Sequence, residues 1–544
     1  MQALHVPGVS IAVIHGGRIE WARGFGVTKI GGPPVTSDTL FQAASISKPV
    51  SALAVLHLVQ AGKLDLDGDV TTYLRSWKLP ANEFTDRAKV TLRELLSHTA
   101  GTTVHGFPGY AAGEPIPSLI QILNGETPAN TPAIQVDVLP GSTWRYSGGG
   151  YVIVQQALID VTGVPFADLM QDLVLAPLGM KNSTYAQPLP QQLLARAATP
   201  YRADGHPVAG GPHVYPELAP AGLWTTPSDI ARYALGVQQA LAGKRNRVLL
   251  AATAREMLLP RLNHWGLGPG LGGSAKHAYF THSGGNAGFR SQFVAYDDGD
   301  GAVVMTNSDS GNDLQDEVIR TVAHEYGWPD FSPPERVLTT LEVNEFDHCS
   351  GAYRTDGGRV ATFWREGDHV YYRMQGNIVS EIFSTSEREY FLKDWNGRFV
   401  FTGDPGGRIT GVTLYENERE EKATRLDDEQ AHLPLEESLA IVRRFKEQKP
   451  YPEGEAATRK LFSGIASGTP DYEGMTAEFA ALNRQTLPQI GPFIARLGLL
   501  KSITFRGVGP GGADIYDVQW EHESHEVRIS MTADGRISDA RLSN

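Results

Sequence analysis

The chain has 544 residues, 41% of them hydrophobic, with 59 Gly, 34 Pro and a formal net charge of −13. The length allows two or three domains, and the composition excludes a chain that is disordered over most of its length. The negative charge argues against nucleic acid or an anionic membrane as the main partner, and no run of about eighteen apolar residues occurs that would predict a membrane span.

The first residues, Met1 to His5, lead almost at once into an apolar strand pattern. They contain neither the charged start nor the apolar segment that a signal peptide needs. The sequence as it stands therefore predicts a protein that remains in the cytoplasm.

The tetrapeptide Ser45-Ile46-Ser47-Lys48 opens a solidly apolar run, residues 50–59, which predicts a buried helix whose first turn carries Ser45 and Lys48. Residues three apart share a helix face, so we expect the hydroxyl of Ser45 to meet the amine of Lys48. A serine hydroxyl is a poor nucleophile until a base takes its proton, and a desolvated lysine can act as that base. The pattern predicts an acyl-transfer site. The alternative for the tetrapeptide alone is a helix cap beside a surface lysine.

About a hundred residues later, a turn leads through Tyr146-Ser147-Gly148 into an apolar, helix-like stretch. The phenol of Tyr146 could act as a base only if a nearby cation lowers its pKa from about 10. Lys48 either takes the proton of Ser45 itself or supplies that cation, and the location of the proton between Lys48 and Tyr146 stays open. The alternative for Tyr146 is a core aromatic residue with a hydrogen-bonded hydroxyl.

Further along, residues 280–286 (FTHSGGN) predict a short strand that breaks into glycines. A glycine-rich strand edge lets the backbone approach a substrate and offer an N–H group to a developing oxyanion. His282 could donate a hydrogen bond to a substrate carboxylate or to Tyr146, or it could be a strand residue that bonds only to backbone.

In this order, the segments SISK, YSG and HSG resemble the S-x-x-K, Y-x-N and K-T-G or H-x-G elements of the serine β-lactamase-like or penicillin-binding protein family. That family includes class C β-lactamases, DD-peptidases, D-aminopeptidases and β-lactamase-like esterases. Supporting similarity extends over about residues 1 to 330. The resemblance implies a β-lactamase-like α/β sandwich over residues 1–332, in which helices flank an antiparallel sheet and an all-helical subdomain is added.

The resemblance also implies a role for each motif residue. Ser45 would be the nucleophile, and Lys48 and Tyr146 would transfer its proton. The N–H groups of Ser45 and Gly285 would form the oxyanion hole. The other residues expected on the strand that lines the site are His282, Ser283 and Gly284.

Gly148 departs from the family pattern. β-Lactamases and DD-peptidases usually have Asn at this position, and its side chain holds the amide of the substrate. Because Gly148 cannot make that hydrogen bond and leaves room, we expect ester or peptide cleavage rather than efficient β-lactam hydrolysis. Asn286, just past the third motif, is the candidate to replace the missing amide contact.

Other features predict no further chemistry. The one cysteine, Cys349, excludes an intramolecular disulfide and a multi-cysteine zinc site, and the sixteen histidines include no H-E-x-x-H pair. We therefore expect neither a metal nor another cofactor. His98, in LLSHTAG, is expected to be a structural histidine with its ring nitrogens hydrogen-bonded.

A Pro-rich link, residues 328–334, ends the first predicted domain. Period-two runs over residues 335–430 predict a small antiparallel β-barrel, similar to the lipocalin-like domains appended to some β-lactamase-like peptidases. Residues 436–544 show helical patterns followed by strands, which predict an α+β domain of the cystatin or nuclear-transport-factor kind. We expect both regions to brace the catalytic domain or narrow its cleft, with direct substrate binding as the alternative.

These observations predict a three-domain serine hydrolase that cleaves an ester or amide bond of a small molecule or peptide through an acyl-enzyme on Ser45. An esterase and a D-amino-acid-type peptidase both fit, and a β-lactamase or DD-carboxypeptidase is the alternative. A catalytically inactive protein that binds a cell-wall peptide is the alternative from another class. The oligomeric state stays open. Because many members of the family are exported, the resemblance favours the periplasm or secretion over the cytoplasm.

Overall fold

The computed structural model describes residues 1–203, 205–244, 247–274, 276–331, 336–339, 343–393, 397–416, 419–532 and 534–543. They divide into two units, Met1–Ser332 and Pro333–Asn544. Residues 332–335 of the predicted Pro-rich link lie outside the described residues, so the predicted domain boundary at that point stays a prediction.

The first unit contains eight strands among its described residues. They are β1 (Gly8–His15), β2 (Arg18–Gly26), β3 (Phe41–Gln42), β4 (Trp224–Thr225), β5 (Gly270–Ser274), β6 (His277–Asn286), β7 (Phe289–Tyr296) and β8 (Gly301–Thr306). Six of them form an antiparallel sheet in the order β2-β1-β8-β7-β6-β5, and β3 pairs with β4 separately. β1, the second strand from one edge, thus joins the start of the chain to a strand near the end of the unit.

Twelve α-helices of this unit lie within the described residues. They are α1 (Ser47–Gln60), α2 (Glu83–Arg87), α3 (Leu92–Leu96), α4 (Leu119–Asn124), α5 (Gly148–Thr162), α6 (Phe166–Met170), α7 (Ala176–Leu178), α8 (Gln191–Leu194), α9 (Leu218–Ala221), α10 (Pro227–Leu241), α11 (Ala251–Met257) and α12 (Gly311–Glu325). Among the described residues no single helix is both long and apolar enough to cross a membrane. The segments Gly148–Thr162 and Phe166–Leu178 reach that length only together, with an 85° bend between them.

Alternation along β1 separates the two faces of the sheet. Ile11 and Val13 pack with Ile319 of α12, whereas Ala12 and Ile14 belong to the larger core that includes α1, α5 and α10. Because helices cover both faces, β1 is apolar at nearly every position. The predicted sandwich of an antiparallel sheet flanked by helices is confirmed, and α2 to α8 form the helical region between α1 and the later strands.

The second unit begins with a closed barrel of eight antiparallel strands. They are β9 (Gly351–Thr355), β10 (Val360–Glu366), β11 (His369–Met374), β12 (Ser380–Ser386), β13 (Glu389–Leu392), β14 (Gly397–Gly403), β15 (Ile409–Glu416) and β16 (Arg419–Arg425), and β9 closes the barrel between β10 and β16. The ring of Phe363 lies between 5.0 and 5.5 Å from the rings of Tyr353, Tyr372, Phe399 and Phe401. Aromatic side chains therefore pack the barrel's centre, and the predicted barrel is confirmed.

Helices and then a meander follow the barrel, as predicted. The helices are α13 (Asp428–Glu447), α14 (Gly454–Ser467) and α15 (Ala477–Arg496), and the sheet runs in the order β17 (Leu500–Val508), β18 (Asp514–Trp520), β19 (Ser524–Met531) and β20 (Ile537–Ser543). Helix α13 packs on β9 and β10, where the hydroxyls of Thr362 and Ser438 lie 2.8 Å apart and Arg373 pairs with Glu437 at 3.0 Å. The barrel and the α+β part therefore belong to one unit.

Candidate active site

Ser45 lies in a 3₁₀ turn, Ala44–Ile46, and α1 begins only at Ser47. The prediction that Ser45 lies in the first turn of the helix is therefore wrong, because Ser45 precedes the helix. Nearly every side chain of α1 is buried, as expected. Ala44 has a φ of +49°, a left-handed conformation that is unusual for a residue with a Cβ. Ser47 holds the turn, because its hydroxyl donates to the carbonyl of Ala44 at 2.5 Å and accepts the N–H of Leu223 at 3.0 Å.

Lys48 brings a buried amine to the hydroxyl of Ser45. Its side chain is 2% exposed, and Nζ lies 2.9 Å from Oγ of Ser45 and 3.1 Å from the carbonyl oxygen of Pro220. Burial lowers the pKa of Lys48 from 10.5 to about 7. A large fraction of this amine is consequently neutral near pH 7 and can accept the proton of Ser45.

Tyr146 lies on the other side of this amine. The centroid of its ring is 4.9 Å from Nζ of Lys48. Tyr146 immediately precedes Ser147, whose hydroxyl accepts the N–H of Gly150 and caps α5. Burial raises the pKa of Tyr146, and a hydrogen bond with the side chain of Ser45 offsets only part of this increase. The phenol therefore stays protonated. The opposite directions of the two pKa shifts favour, of the two arrangements that the sequence left open, Lys48 as the base and Tyr146 as a hydrogen-bond donor, and these roles stay a prediction.

His98, which the sequence suggested to be only structural, supports both sides of Tyr146. Its carbonyl accepts the N–H of Arg145 at 2.8 Å, its Nδ1 accepts the N–H of Ser147 at 3.1 Å, and its ring centroid lies 4.3 Å from that of Tyr146. Because Nδ1 accepts, the proton of the neutral ring is on Nε2, which has no partner among the described residues. The sequence analysis singled out His98 in the LLSHTAG segment, but nothing in the sequence indicated its contact with Tyr146.

His282 is buried on β6, with its ring centroid 6.1 Å from that of Tyr146. Its Nδ1 donates to the carbonyl of Ser283 at 2.5 Å, so Nε2 of the neutral ring presents a lone pair. Burial first, and then the charge of Lys48, lowers the pKa of His282 to about 3. This tautomer differs from the predicted donor, because its buried Nε2 can only accept a hydrogen bond, and it has no partner among the described residues.

The glycines of β6 bring the strand edge next to the turn that carries Ser45. A Cβ on Gly284 would lie 2.2 Å from the carbonyl oxygen of Ala43, so a side chain at this position would push the strand away. β5 pairs with β6 only as far as Thr281, and the following residues of that edge, including the exposed Ser283 and Gly285, have no β5 residue opposite them. An uncovered edge beside Ser45 is what an oxyanion hole requires, and the role of the Gly285 N–H stays a prediction.

Asn286 does not offer its amide to a substrate in this arrangement. The side chain is buried, and Nδ2 donates to Oε1 of Gln42 at 2.8 Å and to the carbonyl of Ala221 at 3.2 Å. Both amide protons are therefore used inside the protein. The suggestion that Asn286 replaces the missing amide contact is corrected as far as its N–H groups are concerned.

Gly148 is the first residue of α5, and the room expected beside it is filled. A Cβ at this position would lie 2.7 Å from the ring of Phe107 and 3.1 Å from the carbonyl oxygen of His105. Phe107 thus occupies the space into which the side chain of the family's Asn would point. Sequence reasoning missed Phe107, because nothing in the segment around it indicates a contact with Gly148.

The charge in the site comes from Lys48. Burial is the largest cause that lowers the pKa of His98, His105 and His282, and the positive charge of Lys48 is the second largest. No Asp or Glu is among the causes of the pKa shifts of these histidines, of Lys48 or of Tyr146. Within the described ranges, no three His, Cys, Asp or Glu side chains lie close enough together to hold a metal ion.

A family model described as Beta-lactamase matches residues 1–326. The chain belongs to the β-lactamase family. It is a serine hydrolase of that family, and its similarity to an esterase, EstB of Burkholderia gladioli, agrees with this class. Over 213 residues the two are 34% identical, which covers 37% of this chain and 51% of the esterase.

Two further proteins resemble this β-lactamase-family enzyme over most of their own length. Penicillin-binding protein 4* of Bacillus subtilis (strain 168) is 22% identical over 458 residues, covering 76% of this chain and 94% of that protein. The structure of an octameric penicillin-binding protein homologue from Pyrococcus abyssi matches with a TM-score of 0.53 at 20% identity, over 78% of this chain and 97% of that one. At this identity the likeness shows a shared fold.

Proposed function

We propose that this enzyme hydrolyses esters, and more slowly amides, through a covalent acyl-enzyme on Ser45. One observation carries the proposal: Nζ of Lys48 lies 2.9 Å from Oγ of Ser45 in a buried place, where its pKa falls to about 7. A protein that only binds a peptide has no need for an amine that is neutral beside a serine hydroxyl.

In the first half-reaction, Oγ of Ser45 attacks the substrate carbonyl carbon while its proton passes to Nζ of neutral Lys48. Backbone N–H groups of Ser45 and Gly285 receive the developing oxyanion. The bond to the leaving alcohol or amine then breaks, and the leaving group takes a proton from Tyr146, which regains one from Lys48. The acyl group is left on Ser45, and Lys48 is neutral again.

In the second half-reaction, water attacks the acyl carbon and gives a proton to Lys48. Collapse of the intermediate breaks the bond between the acyl carbon and Oγ of Ser45, and Ser45 regains its proton from Lys48. The acid is released and the free enzyme is restored. Both half-reactions therefore use the same base.

The position of Phe107 supports ester substrates over β-lactams. It fills the space next to Gly148, where relatives that act on β-lactams place an amide-binding Asn. A site without that polar group gains nothing from a substrate amide, and an ester has none to satisfy. The similarity to an esterase agrees with this preference.

A serine-directed fluorophosphonate followed by intact-mass measurement tests the proposal. We expect one phosphonyl group to attach to each chain, and peptide mapping to locate that group on Ser45. A wild-type enzyme that stays unlabelled and hydrolyses neither esters nor D-aminoacyl amides would instead indicate an inactive peptide-binding protein.

The base of the proposed mechanism predicts a pH dependence. Only neutral Lys48 can accept a proton, so kcat/KM for a neutral ester should rise with pH with a midpoint near the lowered pKa of about 7. His282, with a pKa of about 3, contributes no second step in this range. The measurement is p-nitrophenyl acetate hydrolysis between about pH 5 and 9, corrected for the spontaneous rate. A kcat/KM that still rises about tenfold per pH unit at the upper end of this range, with no levelling off, would contradict the assignment.

Gly148 and Phe107 give a prediction on substrate preference. Gly148→Asn alone should slow ester and amide substrates alike, because its Cβ would meet the Phe107 ring at 2.7 Å. When Phe107→Ala is combined with Gly148→Asn, the new amide has room. The amide-to-ester ratio of kcat/KM should then rise by a factor that corresponds to about 1 to 2 kcal/mol. Phe107→Ala alone is the control for the lost ring. If the double variant keeps the wild-type ratio, position 148 does not face the substrate.

A further inference from the structure

Trp144 and Trp265 form an aromatic surface beside the reacting groups, here called the tryptophan shelf. Their ring centroids lie 5.4 Å apart, and the ring of Trp265 lies 5.9 Å from Tyr146 and 5.5 Å from His282. Trp144 lies 6.4 Å from Tyr146. The shelf therefore adjoins the phenol that, in the proposed mechanism, gives its proton to the leaving group.

Hydrogen bonds hold Trp265 in place, and neither tryptophan is part of the main core. Nε1 of Trp265 donates to the carbonyl of Gly268 at 3.2 Å, and Trp265 forms a β-bridge with Gly270 at the start of β5. Both tryptophans are half-buried, and neither belongs to a hydrophobic core cluster of the described residues. An aromatic surface that remains partly open to solvent beside Tyr146 is suited to bind an apolar group.

The charges around the shelf disfavour a cation. Lys48 becomes positive when it takes the proton of Ser45, and the neighbouring histidines respond to that charge. Carboxylates next to the shelf are already paired: Asp137 contacts Arg145, which follows Trp144, and Glu256 contacts Arg261, whose N–H donates to the carbonyl of Trp265. A substrate ammonium would add a second positive charge with no acidic partner in the same desolvated place.

We propose, on the basis of the proposed function, that the tryptophan shelf binds the leaving-group side of the substrate and selects an uncharged aromatic group there. Esters of benzyl-type alcohols are the preferred class, and substrates with an ammonium on the leaving group are rejected. Trp144 and Trp265 are then the residues that determine specificity.

A matched series of acetate esters tests this inference. Benzyl and propyl acetate have alcohols of similar acidity, and we expect wild-type kcat/KM to be at least about tenfold higher for benzyl acetate. Trp144→Leu and Trp265→Leu should lose most of this preference, measured as the ratio of benzyl to propyl kcat/KM within each variant, so that a general loss of activity cancels. Trp21→Leu is the matched control, because Trp21 is a half-buried tryptophan on β2, bonded through Nε1 to the hydroxyl of Tyr326.

The charge rule is tested with three benzyl acetates that carry a methyl, a hydroxymethyl or an aminomethyl group in the para position. We expect kcat/KM of the protonated aminomethyl ester to fall about tenfold or more below the other two. Equal rates for the cation and the hydroxymethyl ester overturn the charge rule.

If both Trp144→Leu and Trp265→Leu keep the benzyl preference and Ser45-dependent hydrolysis continues, the proposed role of the tryptophan shelf is wrong. Loss of all ester hydrolysis by the wild-type enzyme, together with no labelling of Ser45, overturns the proposed function instead. The two failures therefore give different results.

Discussion

Replacing Ser45 by Ala should lower ester turnover by about a thousandfold or more and abolish fluorophosphonate labelling, because Oγ of Ser45 is the serine hydroxyl that Nζ of Lys48 contacts among the described residues. Folding should be nearly unchanged, since the substitution removes one oxygen from a half-buried side chain. Turnover, intact mass and thermal unfolding of the same preparation provide the three measurements.

The control serine has to be chosen with care. Ser47 is adjacent, but its hydroxyl holds the carbonyl of Ala44 and the N–H of Leu223, so Ser47→Ala would disturb the turn itself. Ser463, exposed on α14 in the second unit, is the neutral comparison. Labelling that persists in Ser45→Ala would place the nucleophile elsewhere.

The second large effect concerns Lys48 and Tyr146 as a pair. Lys48→Met keeps the volume of the buried chain without its amine, and Tyr146→Phe keeps the ring without its hydroxyl. Because both groups handle the same proton, each single variant should lose about a thousandfold in kcat, and the double variant should be little worse than either one.

Single-turnover kinetics with p-nitrophenyl acetate measures acylation in the three variants. Losses that add on a logarithmic scale would show that Lys48 and Tyr146 act independently. An unchanged rate for Tyr146→Phe would leave the ring as a packing residue between His98 and Trp265.

The parts of the site that sequence reasoning could locate depend on short spacing and on residue type. Ser45 and Lys48 are three residues apart, and their side chains meet at 2.9 Å. Gly284 is glycine because a backbone carbonyl lies where its Cβ would be. Period-two patterns likewise predicted the barrel, where strands such as β14 alternate between buried and more exposed side chains.

The parts that sequence reasoning missed depend on contacts between distant segments. His98 reaches Tyr146 from a loop in which its own φ is +60°, and a propensity argument does not foresee that conformation. Asn286 and Gln42 are 244 positions apart, so their hydrogen bond could not be inferred from either segment. The 3₁₀ turn at Ser45 follows from the backbone of Ala44 rather than from the apolar run behind it.

The place of β1 in the sheet has a consequence for how the first unit folds. β1 lies between β2 and β8, and Val9 is opposite Thr306, so its second edge finds its partner only when nearly all of the unit has been synthesised. Until then, β1 exposes an unpaired edge and the apolar side chains on both of its faces, which promote association with other chains. Pairing across such a separation is also slow. A chain cut before Gly301 should therefore aggregate as it leaves the ribosome rather than fold into a smaller enzyme.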